Sequence, residues 1–190
     1  RTIKKFNWVT RVTQDYFPGC FSLIHFSGNN GVFLHLKLRY VSHVACFLKY
    51  SWCLRFDLLI DLFANDYVSR SSRFELTYCL LSTKRNERVY LRVFVNDLTV
   101  VPSLSTLYSS ANWLEREIWD MYGVTFAGHS DLRRILTDYG FLGHALRKDF
   151  PLTGFFEIRY DDTCRRIVSE AVNLAQELRL FFFSTSWKTF

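Results

Sequence analysis

Glu115, Glu117 and Asp120 stand close together, followed by His129, Arg133, Arg134, Asp138, Arg147, Lys148 and Asp149. Three kinds of chemistry compete for this constellation. Paired carboxylates act as acid and base when they converge on one substrate. On a helix, however, Glu115 and Glu117 point about 200° apart, and Arg116 and Arg133 are at hand as ion-pair partners. A metal or nucleophile site would start from His129 and His144. These lie 15 residues apart, each after a glycine, but no Cys, Asp or Glu completes the short-spaced ligand set of a closed zinc site. A Gly-His step instead positions an imidazole to hydrogen-bond a backbone carbonyl. Phosphate binding would need a P-loop or dinucleotide fingerprint, and Gly140-Phe141-Leu142-Gly143 is neither. The arginines are interleaved with Asp131, Asp138 and Asp149, a pattern of charge-paired docking in which guanidinium forks hold carboxylates or carbonyls.

The elements that must position these groups read as follows. Residues 32–38 form a strand. Residues 41–50 form a short helix with Val41, Val44, Ala45 and Leu48 on one face, and residues 54–62 form a strand. Residues 73–81 and 88–95 alternate, with Phe74, Leu76, Tyr78 and Leu80 on one face of the first and Val89, Leu91, Val93 and Val95 on one face of the second. The polar stretch Ser82 to Glu87 joins them as a hairpin, and Lys84-Arg85 is its solvated turn. Ser103 is placed to cap a helical turn over residues 103–108. Residues 111–122 read as a helix with an Arg116–Asp120 pair one turn apart, stopped by Gly123. Residues 165–179 carry helical spacing through Ile167, Ala171, Leu174 and Leu178. Five of the eight glycines fall between Gly123 and Gly154, where sustained periodicity is lost. Such a stretch builds no core of its own, so its apolar and aromatic side chains need a surface to cover. This is the logic of an obligate subunit interface. The expected fold is α+β: a small mixed or antiparallel sheet with packed helices, then an extended docking segment. The boundaries fall at 1–31 (unassigned), 32–124 (α+β domain) and 125–190 (docking segment and tail).

Composition narrows the classes. The chain has 190 residues, 49% hydrophobic and 22% charged, which is globular and about one domain long. The net charge is +6. The excess is scattered over residues 1–110, which hold 14 basic and 7 acidic side chains, whereas a nucleic-acid module concentrates its cations. The five cysteines include no C-x-x-C pair, so neither a disulfide framework nor a structural zinc site is indicated. Every apolar run is broken before the ~20 residues a membrane span needs, and residues 3–12 lack a signal-peptide core. With 19 Phe against 8 Gly and 3 Pro, the chain has the bias of an AT-rich coding sequence, as in many organelle genomes.

Glu115-Arg116-Glu117-Ile118-Trp119-Asp120-Met121-Tyr122, then His129, Arg133 and Ile135-Leu136, closely resembles the signature of the 30 kDa subunit of respiratory complex I. The flanking runs from Leu132 to Phe141 and from Leu146 to Gly154 agree, and weaker similarity covers most of the chain from Val32 onward. Proline is usual in that family where this chain has Ser130, Ala145, Ala171 and Ser186. The resemblance implies a non-catalytic structural subunit of the peripheral arm, in the quinone-reducing module of NADH:ubiquinone oxidoreductase. Such a subunit carries no flavin and no iron–sulfur cluster. NADH, FMN, iron–sulfur clusters and ubiquinone belong to the parent complex. Its partners would be the large subunit of the quinone cavity and the small subunit holding the terminal cluster. It would sit peripherally on the matrix side of the mitochondrial inner membrane and be organelle-encoded. The stretch 165–179 would run largely as an extended arm. Interface residues expected on this reading are Glu115, Arg116, Glu117, Asp120, His129, Arg133, Arg134, Asp138, Arg147, Lys148 and Asp149. Two alternatives come from other classes: a stand-alone enzyme using Glu115, Asp120 and His129, and an RNA-binding protein using the basic half.

Overall fold

The computed structural model describes residues 2–27, 31–176 and 179. Its first compact unit runs to Phe150 and its second begins at Pro151. In the first unit the elements are α1 (Thr2–Tyr16), β1 (Phe21–Ser27), β2 (Gly31–Leu36), a single 3-10 turn at Leu38–Tyr40, α2 (Val41–Tyr50), β3 (Leu58–Asp66), β4 (Phe74–Ser82), β5 (Glu87–Val95), β6 (Val101–Pro102), α3 (Ala111–Tyr122) and β7 (Phe126–Ala127). Five strands form a sheet in the order β1-β2-β5-β4-β3. β2 and β5 run parallel and the other neighbours antiparallel, so the sheet is mixed and the fold α+β.

Alternation decides which side of the sheet is core. Val32, Leu34 and Leu36 on β2, Leu76, Tyr78 and Leu80 on β4, and Val89, Leu91, Val93 and Val95 on β5 are all buried on one side. The helices bring Val9, Val41, Val44, Leu48, Ala111 and Ile118 to the same cluster. The β4–β5 hairpin has the expected faces, with Phe74 opposite Val95 and Ser82 opposite Glu87. Tyr108 fastens the segment before α3 to the strand region by donating to the Phe56 carbonyl at 2.9 Å.

Several expectations are corrected. The third strand lies at Leu58–Asp66 rather than 54–62, because the chain first turns through Arg55, whose φ is +46°. Ser103 caps no helix. Its hydroxyl instead serves the Ser105 N–H and the Glu115 carboxylate, and residues 105–107 form only a turn. The unassigned N-terminal stretch contributes a helix and an edge strand to the first unit. The first compact unit extends through Phe150, because residues 126–150 bond to α3 and to the sheet.

In the second unit, β8 (Phe156–Asp161) pairs antiparallel with β9 (Arg166–Ala171), and Arg159 forks onto Glu170 at 2.8 Å. The helical spacing over 165–179 is therefore overridden in its first half. Arg165 turns with φ +49°, Asp161 accepts the Thr163 N–H to tighten the turn, and β-branched Ile167 and Val168 continue as strand. Residues 177 and 178 lie outside the described set.

Replacing Tyr108 by Phe removes a buried hydrogen bond and leaves the Phe56 carbonyl without this donor. The expected loss is about 1–2 kcal/mol with unchanged circular dichroism, measured by urea unfolding.

Candidate functional site: the α3 hub and the loop it holds

A helix ends with four carbonyls that have no partner inside it. In α3 these belong to Trp119, Asp120, Met121 and Tyr122; the cap residue takes the first in a last i→i−4 bond, and the other three are met by the returning loop. Gly123 N–H donates to Trp119 (2.9 Å), His144 Nδ1 to Asp120 (2.9 Å), Leu146 N–H to Met121 (3.1 Å) and Arg147 Nε to Tyr122 (2.6 Å). The cation also suits the negative end of the helix dipole. Gly123 is left-handed at φ +78°, as its place after the helix predicts. A Cβ there would come within 2.5 Å of His144 Nε2 and 2.7 Å of Arg147 Nη2, so only glycine lets the loop come this close.

The side chain of Asp120 binds a second length of the same loop. Its carboxylate accepts the N–H groups of Ile135 (3.2 Å), Leu136 (2.7 Å) and Thr137 (2.9 Å), and the Thr137 hydroxyl (2.6 Å). Burial pushes this carboxyl's pKa up, but the hydrogen bonds outweigh that and hold it below the usual Asp range. Arg134 stands 3.5 Å away and donates to the Gly143 carbonyl, tying the two lengths of loop together.

One turn earlier, Glu115 occupies a core position, with Ala111 and Ile118 on the same buried face. It is 0% exposed. Ser103 Oγ (2.6 Å) and Leu104 N–H (2.7 Å) donate to it, and His129 Nε2 lies 3.9 Å off. Here burial dominates these hydrogen bonds, and the carboxyl is raised above its usual value. His129 bridges the Asn112 carbonyl and the Asp131 N–H, so both Gly-His steps serve backbone groups, as their sequence context indicates.

A latch closes the far end. Arg73, at the start of β4, forks onto Asp66 at 2.7 Å through Nε and Nη2 and reaches Asp149 at 2.8 Å. The Asp66 carboxylate also accepts the Lys148 N–H at 2.8 Å. The Arg73 hydrogen bond holds Asp66 below the usual Asp range. Arg147 adds an ion pair to Asp97 at 3.5 Å and lies over the Phe74 ring.

The residues expected at an interface thus separate. Glu115, Asp120 and Arg116 are turned inward, and the i,i+4 pair Arg116–Asp120 does not form: Arg116 donates to the Arg133 carbonyl. Arg134, Arg147 and Asp149 brace the loop from within the chain, and His129 is held by backbone. Glu117, Arg133, Asp138 and Lys148 have exposed side chains, and Arg133 pairs with its neighbour Asp131. The latch of Asp66, Arg73 and Asp97 goes beyond the local pattern, because Arg73 meets Asp149 76 residues away and Asp97 meets Arg147 across the fold. Among the described residues, no three His, Cys, Asp or Glu side chains gather to hold a metal ion.

Two outcomes follow. Gly123→Ala forces a left-handed alanine against His144 and is expected to cost on the order of 1–3 kcal/mol, with faster proteolysis in residues 140–150. Asp120, depressed when folded, stabilises the chain above the ordinary Asp pKa near ~4, and that contribution is lost as pH falls through its lowered value. Glu115 has the opposite sign, because its raised pKa makes the folded state lose stability as pH rises past the unfolded value. Unfolding free energies between pH 2 and 7 should show a shallower acid limb for Asp120→Asn. They should show a lost decline above pH 4.5 for Glu115→Gln.

Comparison with known proteins agrees with this architecture. The model of the family described as "Respiratory-chain NADH dehydrogenase, 30 Kd subunit" matches residues 34–156. The chain is 52% identical over 149 residues to NADH dehydrogenase [ubiquinone] iron-sulfur protein 3 of Beta trigyna, covering 78% of each. It is 46% identical over 164 residues to NADH-ubiquinone oxidoreductase subunit 9 of Prototheca wickerhamii, covering 86% of this chain and 85% of the relative. The solved structure of a trypsin-resistant fragment of Nqo5 matches with a TM-score of 0.56 and 27% identity, over 65% of this chain and 98% of the fragment. A signature centred on α3, a family model over residues 34–156 and a relative 52% identical over 78% of each chain lead to one conclusion: the chain belongs to the 30 kDa subunit family of respiratory-chain NADH dehydrogenase.

Proposed function

We propose that the chain works as a non-catalytic structural subunit in the quinone-reducing module of the peripheral arm of complex I, supporting electron transfer from NADH to ubiquinone without carrying electrons itself. The observation that carries this reading is the loop held by α3. Its Arg134, Arg147 and Asp149 are bonded to this chain's own groups, while Leu136 (60% exposed), Tyr139 (102%), Leu142 (71%) and Leu146 (52%) face outward on a braced backbone. A fixed loop presenting apolar anchors, rimmed by Arg133, Asp138 and Lys148, has the anatomy of a subunit interface. The partners on this reading are the large subunit of the quinone cavity and the small subunit of the terminal cluster. The relatives' names support membership in a multi-subunit NADH dehydrogenase, and the matrix side of the mitochondrial inner membrane is the location that goes with this reading. Flavin and clusters are assigned to other subunits. Cys46 lies on α2 and Cys79 on β4, and Cys20, Cys53 and Cys164 lie in separate connecting segments, whereas a cluster needs thiolates gathered at one point.

The stand-alone enzyme has less support, because the side chains of Glu115 and Asp120 are fully buried and bonded to this chain's own groups.

The double variant Tyr139→Ser, Leu142→Ser touches only exposed side chains, so stability should stay within about 0.5 kcal/mol while incorporation into complex I falls several-fold on native gels. Normal assembly with lost quinone reduction would overturn the structural reading. Arg147→Ala should instead lower both stability and assembly, since it opens the latch.

A further inference from the structure

The core lies on one side of the five-stranded sheet, where the helices bring their buried residues. The other side is built quite differently. One cross-strand row there runs Phe63, Thr77, Arg92, His35, and the next contains Tyr90 and Phe33. Phe33 stacks on Tyr90 with centroids 4.5 Å apart and 14° between planes, and the Arg92 guanidinium lies 4.1 Å over the Phe33 ring. His35 stacks on Phe94, and Arg70 lies over Phe94 from the β3–β4 turn.

Two features of this face point outward to a partner. The first is charge. Arg70, Arg88 and Arg92 are accompanied by two carboxylates that are already engaged: Glu75 is buried between the Tyr67 hydroxyl (3.0 Å) and Arg92 (3.3 Å), and Asp61 accepts the Leu62 N–H. The second is exposed apolar surface: Phe63, at the β3 end of the row that holds Thr77 and Arg92, is exposed.

We propose that this open face of the sheet is a second docking surface, which takes an acidic segment with an apolar anchor from another subunit of the complex. The inference rests on the subunit reading above and names a surface that reading does not use. A carboxylate set over Arg92 would pair with its guanidinium, a second acidic side chain would meet Arg88 further along β5, and an aliphatic or aromatic anchor would cover the exposed Phe63 at the β3 edge. Single-stranded nucleic acid is a poorer occupant. It needs free ring faces for its bases, whereas Phe33 is held between Tyr90 and Arg92, and Phe94 between His35 and Arg70.

The test places a photoreactive phenylalanine analogue at position 63 of the full chain, assembled into the native complex, with and without Arg88→Glu. The expected result is a cross-link to one subunit, in a segment rich in Asp and Glu. Its yield should drop roughly tenfold with Arg88→Glu and recover with Arg88→Lys. Cross-linking to RNA, to a basic segment, or to nothing while the chain co-migrates with complex I would overturn the proposal. Failure to co-migrate at all would overturn the subunit reading itself, so the two failures are distinguishable.

Discussion

The end of one helix organises this protein. Four carbonyls at the C-terminus of α3 must find donors, and the chain supplies them from Gly123 and from His144, Leu146 and Arg147, more than twenty residues further on. The Asp120 side chain, on the same turn, collects three more backbone N–H groups from residues 135–137. A segment too glycine-rich and aperiodic to fold by itself is thereby given a fixed path. Its backbone polar groups are satisfied by a helix end and a carboxylate rather than by a ladder of its own.

That solution has a consequence for the surface. Charges that read as docking groups are used to brace the loop, which frees the outer positions for apolar side chains such as Tyr139 and Leu142. Exposed leucines on a mobile loop would have to be ordered on binding. On a braced one that entropic cost is met at folding, and contact area translates more fully into affinity. Arg73 extends the same economy, joining Asp66 on the sheet to Asp149 on the loop with a single guanidinium.

Two carboxylates on one helix show how environment sets protonation. Glu115 and Asp120 are both wholly enclosed. Glu115 has a hydroxyl and a single N–H, and burial prevails. Asp120 has three N–H groups and a hydroxyl, and the hydrogen bonds prevail. Neither faces an open cleft, which is why a motif rich in acids, an arginine and a histidine serves architecture here.

The local patterns were readable in the residues themselves. Period-two alternation marked the β4–β5 hairpin and its core face, helical spacing marked α2 and α3, and Gly123 marked the left-handed stop, because each depends on neighbours within a few positions. The long signature around Trp119 carried the family. Spacing could not reveal which charges would turn inward. Arg116 adjacent to Asp120 by one turn was the natural pair, yet each found a better partner on the returning loop. Nor could it show that Arg73 meets Asp149, or that 166–171 pairs as a strand, since a hairpin partner outweighs local periodicity. Sequence determined the β4–β5 hairpin, α2, α3 and the lineage. Tertiary structure alone decided what the charged residues do, because a buried ion takes whichever donors the fold brings within three ångströms, however far apart they lie along the chain.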